Sequence, residues 1–337
     1  MSGLEHDLDA LAAETGFSGV VRVDRGDRTE LAKAYGQADR GYALANAVGT
    51  RFALASGTKG LTALVVVSLV EEGALDLTTT ARSVLGEDLP LVRSDVTVEH
   101  LLAHRSGIGD YLDEELDLDL DAYLMPVPVH ELASTEDYLA VLDGHPQKFA
   151  PEERFAYCNS GYVVLALIAE RVSGTSFHEL VRHRVCERAG MTDTAFLRSD
   201  ELGGDTARGY VEAGGGRRTN VFHLPVRGSG DGGVYSTAAD LHAFWLALFA
   251  GRIVSNAWVA ELVRPRSVTP DPSRRYGLGF WLDASTPAVL LVGMDAGVSF
   301  SSLHDPRTGL TCTVLSNTSV GAWPIAELLD QELSATA

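Results

Sequence analysis

Strand-like runs stand at both ends of this chain, and helix-like runs fill its middle. The segment Gly16–Gly36, "GFSGVVRVDRGDRTELAKAYG", holds two β-rich stretches around Arg25-Gly26-Asp27 and reads as a hairpin. After Gly277 come "YGLGFWLD", "AVLLVG", "VSFSSLHD" and "LTCTVLSN", short β-rich runs separated by turns. A chain written this way is expected to build one sheet from its two termini. The fold class is therefore α/β (α+β): an antiparallel sheet flanked by helices, with an all-helical domain inserted. The expected boundaries are 1–75 plus 235–337 for the sheet domain and 76–234 for the helical insert.

The helices have readable limits. Ser56–Gly73 has a serine suited to the N-cap, no internal proline and a glycine suited to the C-cap. Its apolar run Leu61–Val70 is too short to span a bilayer. Ser160–Gly174 shows apolar 3.6 periodicity and a glycine stop. Ser236–Gly251 and Ala322–Ser334 read as two more helices, while Asp110–Ala133 is acidic, contains Pro126 and Pro128, and reads as a long loop.

Bulk properties exclude several functions. The net charge of −19 opposes a phosphate backbone, so no nucleic-acid partner is expected. Cys158, Cys186 and Cys312 are too few and too scattered for a disulfide framework. The N-terminus lacks a basic start followed by an apolar run, which gives the expectation of a cytoplasmic protein without a membrane partner. A monomer or homodimer is expected.

The chemistry begins with a lysine in an unexpected place. The chain has three lysines, Lys33, Lys59 and Lys148, and Lys59 stands in the first turn of an apolar helix, three residues after Ser56. Residues at i and i+3 share a helix face. A lysine desolvated among apolar groups loses basicity and can take the proton of a nearby hydroxyl. A serine at a helix N-terminus also has free N–H groups beside it that favour developing negative charge. The bland reading is a serine cap followed by a snorkelling lysine. A second constellation, Tyr157-Cys158-Asn159, precedes the next helix. A phenol there can pass a proton between a serine oxygen and a leaving group. An amide two residues on points the same way in extended backbone. Its bland reading is a turn tyrosine with an asparagine cap.

Four segments, "ASGTKGLTALVVVSLVEEGALDLTT", "VTVEHLLAHRSGIGDY", "FAYCNSGYVVLALIAERVSG" and "DGGVYSTAADLHAFWLALFAG", occur in this order. Together they resemble the serine β-lactamase-related family of class C β-lactamases, D-alanyl-D-alanine carboxypeptidases and SxxK-type esterases and amidases. The resemblance runs from about Gly19 to Asp305. It implies an active site between a sheet domain and a helical domain. It implies Ser56 as nucleophile, Lys59 as its base, Tyr157 as proton relay and Asn159 as orienting amide. The implied enzyme is a serine hydrolase that forms an acyl-enzyme on a small ester or amide and needs no cofactor or metal. Two alternatives are an acyltransferase or cyclase using the same acyl-enzyme, and a penicillin-binding-protein-like module that has lost turnover.

One motif departs from the family. Where the family carries Lys or His, a small residue and Gly, this chain is expected to place Met294-Asp295-Ala296. Neither Met294 nor Asp295 attracts the carboxylate of a penicillin or a D-alanyl peptide. A neutral or cationic ester or amide is thus expected to be preferred, unless Arg217, Arg218 or Arg227 supplies the missing cation. The backbone N–H near Gly297 is the expected second oxyanion donor. Rival motifs are weak. Gly228, Gly230 and Gly233 fit a dinucleotide fingerprint but have no surrounding βαβ unit. Asp117, Asp119 and Asp121 suggest a calcium loop, but Ala122 and Pro128 stand where it needs glycine and glutamate. His178 and His183 are badly spaced for one metal, and His104 and His304 read as structural.

Overall fold

The computed structural model describes residues 2–116 and 118–334, and Asp117 of the rejected calcium loop lies outside them. Helix α1 (Ser2–Thr15) leads into strands β1 (Gly19–Arg25) and β2 (Arg28–Tyr35). Helix α2 (Thr58–Glu71) follows, then α3 (Asn159–Ser173) and α4 (Ala238–Phe249). The last third supplies β3 (Ser267–Val268), β4 (Arg274–Tyr276), β5 (Trp281–Asp283), β6 (Val289–Asp295), β7 (Val298–Asp305) and β8 (Leu310–Ser316). Helix α5 (Ala322–Ser334) ends the described chain. These strands form one sheet in the order β2-β1-β8-β7-β6-β5-β4-β3. Every neighbouring pair is antiparallel, and β1 from one end of the chain pairs with β8 from the other.

Period-two alternation on the sheet feeds two cores. Val21, Val23 and Val314 join Leu8 of α1 and Ile325 of α5 in one cluster. Val20, Leu291, Phe300 and Leu315 face α2 and α4 in the other. Helix α2 is buried from Thr58 to Leu69, which explains why its sequence is apolar all round rather than striped. Helix α3 packs against it, so the two segments that carry Ser56, Lys59, Tyr157 and Asn159 are brought together by ordinary hydrophobic burial.

No helix among the described residues is long and apolar enough to cross a membrane. No group of three or more His, Cys, Asp or Glu residues among them could hold a metal ion. His178 is half-buried against the Gly228 carbonyl, His183 lies between Glu179 and Glu187, and His304 faces Thr311.

Candidate active site

Ser56 does not cap α2. It sits inside a 3-10 turn, Ala55–Gly57, and the helix N-cap is Gly57, which makes no side-chain cap bond. The serine expected to cap the helix instead turns its hydroxyl to Lys59 and Tyr157. Ala55, the residue before it, has φ of +44°, a left-handed conformation that costs a non-glycine residue of order 1–3 kcal/mol. Strain of that kind, next to a candidate nucleophile, is held only because the surrounding contacts over-determine it. Gly57 N–H donates to the Leu54 carbonyl and Leu54 N–H to the Val234 carbonyl.

Lys59 is 1% exposed. Its Nζ donates to Ser56 Oγ, Asn159 Oδ1 and the Asp231 carbonyl, each at 2.8 Å. Burial pulls the ammonium below its ordinary basicity, opposed by the charges of Asp231, Glu114, Asp110 and Asp295. The bland reading of a snorkelling lysine is thus excluded by geometry: the head group points inward. Nζ also lies 4.9 Å from the centroid of the Tyr157 ring.

Tyr157 is held from both sides. His104 packs on it with ring centroids 4.3 Å apart, and Trp281 stacks at 5.9 Å. Burial holds the phenol well above its ordinary range, with Glu114 and Tyr276 adding to the effect. A phenol kept protonated suits relay of a proton better than its removal, whereas a depressed lysine suits removal. Cys158 is extended, with φ of −145° and ψ of 110°, so Tyr157 and Asn159 share a side as their spacing predicts.

The N-terminus of α3 is capped from a distance. Asp110 accepts from Asn159 N–H at 2.7 Å, Ser160 N–H at 2.8 Å and Ser160 Oγ at 2.9 Å. Asn159 is therefore the first residue of the helix, not its cap, and its amide is free to meet Lys59, the Leu112 carbonyl and Glu114. Burial outweighs these donors, together with Leu112 N–H, and raises the Asp110 carboxyl to about 6. The sign follows. A carboxyl raised on folding contributes most below its unfolded value and loses that contribution as pH rises through about 6. Asp110→Ala is expected to cost about 1–3 kcal/mol in urea unfolding, with a penalty that shrinks between pH 4 and pH 7.

The strand beside the serine is β6, in a register that differs from the expected one. Gly293 faces the nucleophile: a Cβ built on it would lie 2.2 Å from the Leu54 carbonyl oxygen and 2.8 Å from Ser56 N. Asp295 shares that face, while Met294 turns outward and is 43% exposed. Met294 is thus no part of the cleft wall. Gly297 is also removed from it. It lies in the β6–β7 turn with φ of +71°, and its N–H donates to Ser319 Oγ at 2.8 Å. The expected second oxyanion donor is committed elsewhere. Residues Leu291–Asp295 pair with β7 but have no β5 partner, so the outer edge of β6 is open beside Ser56.

A small cavity, open to solvent, adjoins this machinery and is lined by Tyr111, Tyr138, Asn220, Asp231, Gly233 and Asp295, among others. None of the three candidate replacement arginines lines it. Arg217 pairs with Glu212, and Arg227 donates to the Phe196 carbonyl. The glycine-rich loop supplies one wall through close packing. Gly230 has no room for a side chain, since a Cβ would lie 2.1 Å from the Tyr162 carbonyl oxygen, and its own carbonyl accepts from Thr62 Oγ1.

Known proteins share this fold. A penicillin-binding protein from Bacillus halodurans superposes with a TM-score of 0.90 at 34% identity, covering 96% of this chain and 99% of that one. The putative penicillin-binding protein PbpX of Bacillus subtilis is 27% identical over 327 residues, which is 95% of this chain and 77% of the relative. The D-aminopeptidase of Brucella anthropi is 27% identical over 275 residues, 78% of this chain and 48% of the relative. The chain thus spans about three-quarters of the first of these curated relatives and about half of the second. The Beta-lactamase family profile matches residues 4–337, and the chain belongs to that family.

Proposed function

We propose that this protein is a serine hydrolase that cleaves a small ester or amide through an acyl-enzyme on Ser56. The observation that carries the reading is the Lys59 Nζ–Ser56 Oγ hydrogen bond of 2.8 Å inside a buried site. Lys59 takes the hydroxyl proton and Ser56 attacks the carbonyl. The Ser56 N–H, at the strained turn, holds the resulting oxyanion in this reading. Tyr157 carries the proton to the leaving group, and water releases the acyl chain through the same groups. Family relatives such as the D-aminopeptidase are consistent with this chemistry.

The test is covalent capture. A neutral fluorophosphonate is expected to add one adduct, located at Ser56 by peptide mass spectrometry and lost in Lys59→Ala. A protein that stays unlabelled at Ser56 is instead a binding module. Because the cleft lacks a cation where penicillins place their carboxylate, nitrocefin turnover is expected to be slower than that of a short-chain p-nitrophenyl ester. Efficient nitrocefin turnover would show that another group meets the anion.

A further inference from the structure

The cavity beside Ser56 is walled by two carboxylates and no lysine or arginine. Asp231 is 7% exposed, and its two ends do different things. Its carbonyl holds Lys59, while its carboxylate accepts a short hydrogen bond from Tyr111 Oη and borders the cavity. Asp295 borders the same space from the end of β6. Ser199 Oγ, buried and without a hydrogen-bond partner, lies on that wall too. Asp231 is buried and Asp295 half-buried, and apart from Lys59, whose charge acts on both, no cation lines the cavity to offset them. The rings of Tyr111 and Tyr138 supply further surface that suits a cation.

We infer that Asp231 and Asp295 form a cation subsite, and that the preferred substrates are esters or amides whose acyl part carries a primary ammonium group. The inference rests on the acyl-enzyme reading above. The acyl side is assigned because Tyr157, which protonates the leaving group, packs between His104 and Trp281, whereas the cavity lies on the side of the Asp231–Gly233 loop and Asp295. Burial beside Asp231 raises the Asp295 carboxyl to about 7, with Glu114 adding and Lys59 opposing. Tyr111, Tyr123 and Tyr138, the phenols that feel its charge, are all raised and stay protonated. An arriving ammonium favours the ionised form of Asp295, and it offsets the carboxylate charges that keep Lys59 protonated.

The experiment compares β-alanyl and 5-aminopentanoyl p-nitroanilides with their uncharged isosteres, butanoyl and hexanoyl p-nitroanilides. The wild-type protein is expected to prefer at least one amine over its isostere by about tenfold or more in kcat/KM. The ratio is expected to rise as pH passes through about 7, where Asp295 ionises. Titration of Lys59 affects both members of a pair and divides out. Asp295→Asn and Asp231→Asn are each expected to bring the ratio to about threefold or less, and Asp295→Lys to favour a succinyl over a butanoyl anilide. Labelling by the neutral fluorophosphonate with a wild-type ratio at or below one overturns the cation subsite alone. A ratio untouched by both asparagine variants does the same. Absence of labelling at Ser56 overturns the acyl-enzyme reading, and this inference with it.

Discussion

Ser56→Ala is expected to lower kcat toward a p-nitrophenyl ester by about 10⁴-fold or more, with the far-ultraviolet spectrum and thermal midpoint close to wild type. The second half of that result follows from the turn. The Ser56 hydroxyl caps no helix; it meets Lys59 and Tyr157, and Lys59 keeps two other acceptors, Asn159 Oδ1 and the Asp231 carbonyl. Lys59→Met is expected to fall to nearly the same floor, because a serine hydroxyl without a base is a poor nucleophile. The double variant should be no worse than either single one. Groups that act as a unit lose their effect together, so the combined loss is far smaller than the product of the two. A double variant that multiplies the two losses would mean that Lys59 and Ser56 contribute separately, and Lys59 would then not be the base.

The sequence carried much of this site because its chemistry is local in two places. Ser56 and Lys59 are one helical turn apart, and Tyr157 and Asn159 are one strand repeat apart. In both cases the backbone period alone puts the pair on one side. The sheet was legible for a similar reason: β-rich runs at both ends leave few arrangements other than β1 against β8. Asp110, Glu114 and Asp231 were not legible. They reach the site across 49, 45 and 172 residues of sequence from loops without a regular period. Asp110 takes the capping role that local sequence assigns to Asn159, and nothing near residue 159 announces it. The N-cap expected at Ser56 failed because a 3-10 turn precedes the helix and moves the cap to Gly57. A single residue of strand register decided the rest. The β6–β7 turn closes over Ala296 and Gly297, so Gly293 and Asp295 face the cleft in place of Met294. Side chains alternate along a strand, and a slip of one residue exchanges its two faces.

That register makes Gly293 the position most sensitive to added volume. Gly293→Val is expected to cut kcat/KM by about 10²- to 10³-fold while Lys59, Tyr157 and Asn159 remain intact. The glycine lies in an ordinary strand, so the requirement is space, not backbone conformation. Even the first carbon of a side chain would lie 2.2 Å from the Leu54 carbonyl oxygen, 2.8 Å from Ser56 N and 3.0 Å from Gly57 N. All three atoms are backbone, and they belong to the turn that Ala55 already holds in a left-handed conformation. They cannot yield as a flexible side-chain tip would, so the turn itself has to move. Moving it displaces the Ser56 N–H from the oxyanion and the Ser56 hydroxyl from Lys59 at once. The fluorophosphonate labelling rate should fall in parallel with kcat/KM, because the probe needs the same nucleophile and the same donor. Thermal unfolding should show a separate loss of about 1–3 kcal/mol from the overpacked contact. Activity within about threefold of wild type would mean that β6 does not press on the turn in solution, and the placement of the oxyanion donor would have to be drawn elsewhere on the strand edge.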